Sequence, residues 1–350
     1  MSVVHSPQST VHSHISPALR WTVDSRPWTA LRQVIAHAIL LAVMRHPIRY
    51  GALPTERRHP RSRDLDRLSL SDLLRLINRE DARVIRAVAS QLPQVARAVR
   101  LIAQALRRGG RLFFIGAGTS GRLGVIEAAE CPPTFSTSST EVQAIIAGGR
   151  RAVFRSQEGA EDNRASARQA ARQRIRRGDV VVGVAASGVT PFVDETLREA
   201  ARRGARTVLV SGDPHAAIPA GIRITPVVGP EVLTGSTRLK MGTATKLVLN
   251  MLTLGAMVQL GKTYGNLMVD VRPSSRKLLA RAVSLIQSIT GCSEQAAQSV
   301  LRAARGRVKL AILMQARRLS SFNAARRLAA VDGSLRRALE DHSRLKHRAR

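Results

Sequence analysis

Three residue types are scarce in this chain of 350 residues: aromatic residues, cysteine and lysine. Aromatic residues make up 3% of the sequence, so a buried core has to be built mainly from aliphatic side chains. The two cysteines, Cys131 and Cys292, cannot form a disulfide framework and lack the spacing of a metal site. A reducing compartment therefore suits the chain, and we expect it in the cytoplasm.

Acidic residues are also scarce: 24 Asp and Glu stand against 56 Lys and Arg, for a formal net charge of +32. A charge of this size is typical of proteins that bind nucleic acid. Only six of the basic residues are lysines, however, and the arginines are spread along the chain, mostly on the polar faces of predicted helices. We interpret them as solvated surface and expect no specific nucleic-acid partner. Weak polyanion binding by the arginine-rich tail, residues 302–350, stays open.

Residues 1–52 differ in character from the rest and are predicted to be an N-terminal extension of no assigned role. Their apolar run, residues 34–44, is shorter than the roughly 20 residues that cross a bilayer. It also starts too far from the N-terminus for a good signal peptide. We therefore expect no membrane contact, and Met44 is a candidate true start. A metal site at His12 and His14 is an open alternative, although scattered histidines in a polar tail rarely form one.

Strand and helix patterns alternate along the middle of the chain. Apolar residues recur at spacings of three and four through residues 70–108, which predicts helix there, and a long apolar helix is predicted at 239–260. Buried strands are predicted at 111–115, 142–147, 179–184, 206–210 and 222–228. This alternation predicts a parallel sheet with helices on both faces. Residues 275–340 are predicted to be helical throughout, with breaks at Gly291, Gly306 and Gly333.

Two loops that carry hydroxyl side chains follow predicted strands and open helices. The first, Gly116-Ala-Gly-Thr-Ser-Gly121, has the glycine spacing of a dinucleotide fingerprint, which alone is a weak signal. The second is Ser187-Gly-Val-Thr190. The carboxyl ends of parallel strands meet at one edge of a sheet, and helix N-termini favour anions, so we expect both loops to bind one phosphate. The expected contacts are Thr119, Ser120, Ser187, Gly188 and Thr190.

The second predicted strand indicates which kind of phosphate compound binds. A dinucleotide site needs an acidic residue after this strand to bind the ribose. The strand ends instead in Ala147-Gly-Gly149. We therefore favour a sugar phosphate over a dinucleotide, with tight turns of no ligand-binding role as a third alternative.

Three glutamates near these loops are candidates for proton transfer. Glu130 lies at the end of the helix that starts at the first loop, and Pro132-Pro133 is expected to stop that helix. Glu158 and Glu161 are three residues apart and would share one face of a helix. Two carboxylates beside a sugar phosphate can act as general acid and base, although a solvated surface residue fits Glu158 equally well. We interpret Cys131 as a buried small apolar residue and not as a nucleophile.

Several long segments together resemble one known family. They are GAGTSGRLG at 116–124, ECPPTF at 130–135, IIAGG at 145–149, EGAED at 158–162, VVGVAASG at 181–188 and GNLMVDV at 265–271. These segments resemble the N-acetylmuramic acid 6-phosphate etherase family, and Thr55-Glu56 resembles its start. The run GPEVLTGSTRLK at 229–240 is similar to a signature shared with the glucokinase regulatory protein. The resemblance covers about residues 53–340.

The resemblance implies an α/β fold of the SIS (sugar isomerase) type: a parallel sheet flanked by helices, with a small C-terminal helical domain. It implies a homodimer that uses no metal or redox cofactor. The chain would then divide into four segments: the extension 1–52, a helical segment 53–110, an SIS domain 111–268 and a helical domain with a basic tail 269–350.

The implied reaction removes D-lactate from N-acetylmuramic acid 6-phosphate and leaves N-acetylglucosamine 6-phosphate, a step of cell-wall sugar recycling. A base takes the C2 proton beside the aldehyde of the open-chain sugar, an acid protonates the departing ether oxygen at C3, and water then adds at C3. The resemblance implies that Glu161 is the base and Glu130 the acid. It also adds Ser236 and Lys240 of the signature run to the expected phosphate-binding residues.

Four residues depart from the family pattern. Val189 stands where arginine is common, Met241 replaces a small residue, Thr245 replaces glutamine, and His59 stands where asparagine is usual. None of them removes a proposed carboxylate or phosphate-binding hydroxyl. We expect Val189 and Met241 to affect how the substrate fits.

Two other functions suit the same fold. A non-catalytic sugar-phosphate sensor would need a DNA-binding helix-turn-helix domain, or, as a regulatory protein of the glucokinase type, a second SIS copy that 350 residues do not hold. An aldose–ketose isomerase would not need the ECPP and EGAE runs, which belong to the etherase pattern. The etherase is therefore the favoured interpretation.

Overall fold

The computed structural model describes Gly51 and residues 53–340. The predictions about the N-terminal extension, including those for His12, His14 and Met44, lie outside the described residues. So does residue range 341–350 of the basic tail.

A five-stranded parallel sheet organises the first two thirds of the described chain. Its strand order is β2-β1-β3-β4-β5, and every neighbouring pair is parallel. The strands are β1 (Leu112–Gly116), β2 (Val142–Ile146), β3 (Val180–Val184), β4 (Arg206–Val210) and β5 (Ile222–Ile224). The predicted parallel sheet is confirmed. β5 is shorter than predicted, because Pro226 has no N–H to donate to a neighbouring strand.

Both faces of the sheet are buried, which explains why its strands are almost continuously apolar. Phe114 and Val182 belong to the apolar cluster on one face, whereas their neighbours Phe113 and Val181 belong to the cluster on the other. Successive side chains of a strand point to opposite faces, so each strand contributes to both clusters.

Helices cover both faces of the sheet. They are α1 (Leu70–Ala89), α2 (Leu92–Arg107), α3 (Gly118–Phe135), α4 (Gly149–Phe154), α5 (Arg164–Arg174), α6 (Pro191–Arg202) and α7 (Lys240–Gln259). α7 packs against α1, α2 and α3, while α5 packs against α6. α7 is long and apolar enough to cross a membrane, but half of its most apolar window is buried inside the protein, as in the core helix of a globular domain.

The end of α3 corrects one prediction. The helix passes through Pro132 and Pro133 and ends at Phe135, after which Ser136 adopts a left-handed conformation with φ 50°. Proline has a helical φ of its own, and the two prolines remove hydrogen bonds only in the last turn. Cys131 and Phe135 are buried in the core, and their packing stabilises that turn.

The C-terminal region is helical, as predicted, and has an apolar cluster of its own within residues 269–338. Its helices are α8 (Arg276–Thr290), α9 (Glu294–Ala303), α10 (Val308–Arg317), α11 (Ser321–Ala329) and α12 (Leu335–Leu339). The three predicted glycine breaks separate helices here. A fourth break was not predicted, because Arg318 and not a glycine adopts the left-handed conformation that ends α10, with φ 51°.

Ion pairs between α5 and α6 engage some of the arginines. Arg164 donates to Asp194 and Arg168 to Glu195, each at 2.8 Å. The arginine side chains are largely exposed, so these pairs form on the polar faces of the helices, as predicted.

Candidate active site

A cavity of about 440 Å³ opens at the carboxyl ends of β1 and β3. From β1 the chain adds β2 on one side and β3, β4 and β5 on the other, so the strand order switches between β1 and β3. Ligands of open α/β sheets bind at such a switch point. Five segments line the cavity: the N-terminal segment 53–56, the loop after β1, the turn that carries Glu161, the loop after β3, and the run that leads into the first turns of α7. Lining polar residues are Thr55, Glu56, Thr119, Ser120, Glu161, Ser187, Thr190, Ser236, Thr237, Arg238 and Thr245.

The loop after β1 forms one side of the cavity. Gly118 begins α3 with φ 51°, a left-handed conformation that glycine adopts freely. No side chain caps the start of α3, so its first N–H groups are available to an anion beside the Thr119 and Ser120 hydroxyls. A Cβ on Gly121 would lie 2.6 Å from Ile146 Cγ1. The glycine spacing thus serves close packing of strand and helix, and does not require a dinucleotide.

The loop after β3 forms the facing side. Ser187 and Thr190 line the cavity, and α6 also begins without a side-chain cap. Gly188 is buried with φ 75°, and a Cβ there would lie 2.5 Å from Ala216 Cβ. The structure therefore brings the two predicted hydroxyl loops together, while Gly188 shapes the turn and does not itself line the cavity.

The signature run places Ser236 in the cavity but directs Lys240 elsewhere. The Lys240 ammonium donates to Glu80 at 3.0 Å, and its backbone N–H donates to Glu231 at 3.0 Å. Glu231 also accepts from the N–H of Met241 at 2.9 Å, so a carboxylate already caps α7. Lys240 is not available to a phosphate in this arrangement, which corrects its expected role as a direct ligand.

Lys240 instead belongs to a buried ionic cluster with Glu80 and His59. Glu80 is fully buried, and its carboxylate lies 3.2 Å from His59 Nε2 as well as 3.0 Å from the ammonium. Burial alone would raise the pKa of Glu80, but the hydrogen bond and charge of Lys240, with His59 and Arg83, bring it below its ordinary value. The cluster joins the N-terminal segment, α1 and the start of α7.

Glu161 lies in the cavity, whereas Glu158 does not line it. The prediction that the two share a helix face is wrong, because Gly159 has φ 72° and a short 3-10 turn, Ala160–Asp162, follows it. Glu161 keeps solvent contact through the open mouth, yet desolvation by the surrounding protein raises its pKa, and the charges of Asp162 and Glu158 raise it further. A raised pKa makes the Glu161 carboxylate a stronger base.

Glu130 lies apart from this cavity. It is exposed near the end of α3, and twelve residues separate it from Gly118, which is roughly 18 Å along the helix axis. One chain therefore does not bring its own Glu130 and Glu161 together. The neighbouring Cys131 is 2% exposed, and burial with nearby carboxylates raises its pKa to about 12, in keeping with an unreactive buried thiol.

Of the four departures from the family pattern, one lines the cavity and three do not. Thr245 lines it, but Val189 does not. Met241 is buried, with its sulfur near Gly212, and so does not face the cavity. His59 belongs to the buried ionic cluster. The expectation that Met241 affects substrate fit thus has no direct contact to support it.

Sequence reasoning did not single out Glu56, Thr55 and Arg238 as cavity residues. The only signal for the first two was that Thr55-Glu56 resembles the etherase start, and Arg238 lay inside the signature run without an assigned role. Their position depends on contacts between distant segments, such as the N–H of Gly235 donating to the carbonyl of Thr55 at 3.2 Å.

Two family models and a solved structure are similar to parts of this chain. Residues 94–201 match the glucokinase regulatory protein N-terminal SIS domain, and residues 265–331 match the C-terminal lid domain of glucokinase regulatory protein. A phosphoheptose isomerase structure from Neisseria gonorrhoeae aligns with a TM-score of 0.41 and 17% identity, over 54% of this chain and 98% of that chain.

Two curated relatives match over most of their length. N-acetylmuramic acid 6-phosphate etherase 2 of Vibrio cholerae is 48% identical over 306 residues, which are 87% of this chain and 98% of the relative. N-acetylmuramic acid 6-phosphate etherase of Symbiobacterium thermophilum is 52% identical over 263 residues, 75% of this chain and 88% of the relative. The resemblance of the motifs is thereby confirmed over nearly the whole described chain, which belongs to the N-acetylmuramic acid 6-phosphate etherase family.

Proposed function

We propose that the sheet-edge cavity cleaves the D-lactyl ether of N-acetylmuramic acid 6-phosphate, giving N-acetylglucosamine 6-phosphate and D-lactate. The single observation that carries this proposal is the position of Glu161. A carboxylate of raised pKa opens into the same cavity as four hydroxyl side chains from two strand-end loops. The curated etherases, whose sequences are about 50% identical to this chain, support this function over the regulatory alternative.

The residues divide the chemistry between binding and proton transfer. Thr119, Ser120, Ser187 and Thr190, with the free N–H groups at the start of α3, bind the 6-phosphate. The fixed phosphate places the open-chain sugar across the cavity towards Glu161. The Glu161 carboxylate takes the C2 proton, which is acidic because the C1 aldehyde stabilises the resulting enolate.

Elimination and hydration then complete the reaction. The electron pair left at C2 forms the C2–C3 double bond as the C3–O bond breaks, and an acid protonates the departing lactate oxygen. Water adds its hydroxyl at C3, and a proton returns to C2. The sum is one water consumed and one D-lactate released, so no oxidant or reductant is required.

We assign the acid to Glu130 of a second copy of the chain, because Glu130 does not line the cavity of its own chain. Apolar side chains near it support such a dimer: Ile126, one helical turn away, is 45% exposed, and Leu254 and Val258 on the adjacent α7 are similarly exposed. A soluble monomer rarely leaves such a patch uncovered. A two-fold dimer would cover it twice and would give each cavity one Glu130 from the partner.

Complementation tests this assignment. Glu130→Gln and Glu161→Gln chains, co-expressed with different affinity tags, can be purified as the mixed dimer. If Glu130 acts across the dimer, one of the two sites in the mixed dimer has both glutamates, and about half of wild-type D-lactate release returns. If both glutamates act within one chain, the mixed dimer is as inactive as either parent.

The remaining expectations follow from this reaction. The substrate is a small phosphorylated amino sugar, and cell-wall sugar recycling takes place in the cytoplasm, where we place the enzyme. D-lactate release from N-acetylmuramic acid 6-phosphate by wild-type protein is the direct assay. Folded protein that binds the sugar phosphate but releases no D-lactate would leave the sensor alternative.

A further inference from the structure

The cavity contains a second carboxylate that the reaction above does not use. Among residues 51 and 53–340, the ionisable side chains that line it are Glu56, Glu161 and Arg238. A guanidinium remains protonated in proteins and cannot exchange a proton with a sugar. Apart from Glu161, Glu56 is therefore the described lining residue that can accept and return a proton.

The carboxylate of Glu56 accepts one hydrogen bond and lies close to the backbone of Gly235. The hydroxyl of Thr55, a buried residue, donates to Glu56 Oε1 at 3.0 Å. On the other side, Gly235 has φ 78°, and a Cβ there would lie 3.1 Å from Glu56 Oε2. No salt bridge to Glu56 occurs among the residues that the structure describes. The carboxylate thus lies at the cavity wall, exposed to solvent, with the Thr55 hydroxyl as its hydrogen-bond donor.

The segment that carries Glu56 is anchored by the buried ionic cluster. Glu56 ends the short 3-10 turn Pro54–Glu56, and His59 follows three residues later. His59 is 3% exposed and contacts Glu80, which is in turn paired with Lys240. An N-terminal segment on the surface would not need these buried charges. They position the turn against the signature run that forms the opposite wall of the cavity.

The proposed reaction has a step to which neither Glu161 nor Glu130 has been assigned. The C2 proton is acidic only beside an aldehyde, yet a hexosamine 6-phosphate with a free anomeric hydroxyl is mainly a closed ring. Ring opening moves one proton from O1 to O5 while the C1–O5 bond breaks. The proposal uses Glu161 at C2 and Glu130 at the oxygen on C3, so a third group near O1 and O5 would accelerate ring opening without disturbing either.

We propose that Glu56 is the catalytic residue that opens the sugar ring. Its carboxylate takes the proton of the anomeric hydroxyl, the O1 electron pair forms the C1=O double bond, and the C1–O5 bond breaks. Glu56 then returns the same proton to O5, so the step consumes no proton and needs no co-reactant. This inference rests on the proposed function, because it takes an amino-sugar 6-phosphate as the ligand.

Anomer exchange of N-acetylglucosamine 6-phosphate isolates this step, since it requires ring opening but neither C2 proton removal nor ether cleavage. Exchange between the α and β forms is measured by NMR with the wild-type chain, Glu56→Gln and the matched control Glu294→Gln. Glu294 is an exposed carboxylate of the C-terminal region that does not line the cavity. Wild type and Glu294→Gln should accelerate exchange equally, and Glu56→Gln should lose about 100-fold of the enzyme-dependent rate.

Titration calorimetry with the same sugar phosphate separates catalysis from binding. Glu56→Gln should bind with near wild-type affinity, and Glu56→Asp should recover part of the exchange rate. Three results would each overturn the inference. Glu56→Gln could exchange the anomers as fast as wild type, wild type could fail to accelerate exchange, or Glu56→Gln could fail to bind the sugar phosphate. If wild type releases D-lactate and Glu56→Gln exchanges the anomers at the wild-type rate, this inference alone is rejected. Exchange that depends on Glu56 without any D-lactate release rejects only the proposed function.

Discussion

The sheet-edge cavity and a cavity in the C-terminal helical region differ in the charged side chains that line them. The C-terminal cavity is larger, about 860 Å³, and five cationic side chains line it with a single carboxylate, Asp270. Two of those cations pair directly with Asp270: Lys309 at 2.8 Å and Lys262 at 3.3 Å. The sheet-edge cavity has one arginine, two glutamates and a set of hydroxyls.

The difference shows what a site needs in order to remove a proton from carbon. Desolvation and two acidic neighbours raise the pKa of Glu161, which makes its carboxylate a stronger base. Asp270 has two ammonium partners instead. Hydroxyls and helix N-termini can bind a phosphate without placing full positive charges beside the base. Charge arrangement, and not volume, is therefore the reason for proposing that the sheet-edge cavity is the reactive one.

Removing the base should have the largest effect. Glu161→Gln keeps the shape of the side chain but cannot accept the C2 proton, so D-lactate release should fall by about 10²–10⁴-fold. Arg307→Gln, which alters the C-terminal cavity, is the matched change and should leave the rate near wild type. Steady-state lactate assays on both variants make the comparison. Equal losses would mean that the two cavities are not functionally distinct.

Breaking the buried ionic cluster should mainly affect stability. Lys240→Met leaves the Glu80 carboxylate buried without its ammonium partner, which typically costs about 3–5 kcal/mol. Lys277→Met changes an exposed lysine of the C-terminal region and should be nearly neutral. Urea unfolding curves of the two variants provide the test. A Lys240→Met protein that is as stable as wild type but has a raised KM would contradict the structural role assigned to Lys240.

Loss of a phosphate-binding hydroxyl should weaken substrate binding to an intermediate degree. Ser120→Ala and Ser187→Ala each remove one hydrogen bond to a charged group, worth about 1.5–3 kcal/mol. The KM should rise accordingly while kcat changes less. Ser138→Ala removes an exposed hydroxyl outside the cavity and is the control. An unchanged KM in both cavity variants would place the phosphate elsewhere.

The smallest expected effect is a shift in pH dependence. Asp162→Asn removes a negative charge that raises the pKa of Glu161, so this pKa should fall. The base then stays ionised to lower pH, and the acidic limb of kcat/KM should move to lower pH. Asp332→Asn makes the same change in the C-terminal region and should not move the limb. Movement to higher pH in Asp162→Asn would contradict the assignment of Glu161 as the base.

Features set by neighbouring residues could be predicted from the sequence. The strands follow from apolar runs, and the convergence of Ser120 with Ser187 follows from two parallel strands that end at one sheet edge. The family resemblance pointed to Glu161, and the structure places it in the cavity. These features need only local patterns and the general topology of parallel sheets.

Features set by distant contacts could not be predicted. Lys240 was predicted to be a phosphate ligand from its place in the signature run. Its partner Glu80 lies 160 residues away in the sequence, so their pairing could not be foreseen. Glu56 lies in the cavity only because the N-terminal segment packs against the signature run. α3 continues through Pro132, and Phe135 is buried in the core beyond it. A prediction made from the prolines alone takes no account of this burial. Pairing of this kind becomes visible only in the folded chain.

Isotope labelling in solvent tests the central claim most directly. N-acetylmuramic acid 6-phosphate is incubated with wild-type protein in ¹⁸O-labelled heavy water, and both products are analysed by mass spectrometry and NMR. Elimination followed by hydration predicts one deuterium at C2 and one ¹⁸O at C3 of N-acetylglucosamine 6-phosphate, with the ether oxygen retained by D-lactate. Labelled oxygen in D-lactate, or a product without deuterium at C2, would contradict the account of Glu161 as the base of an elimination.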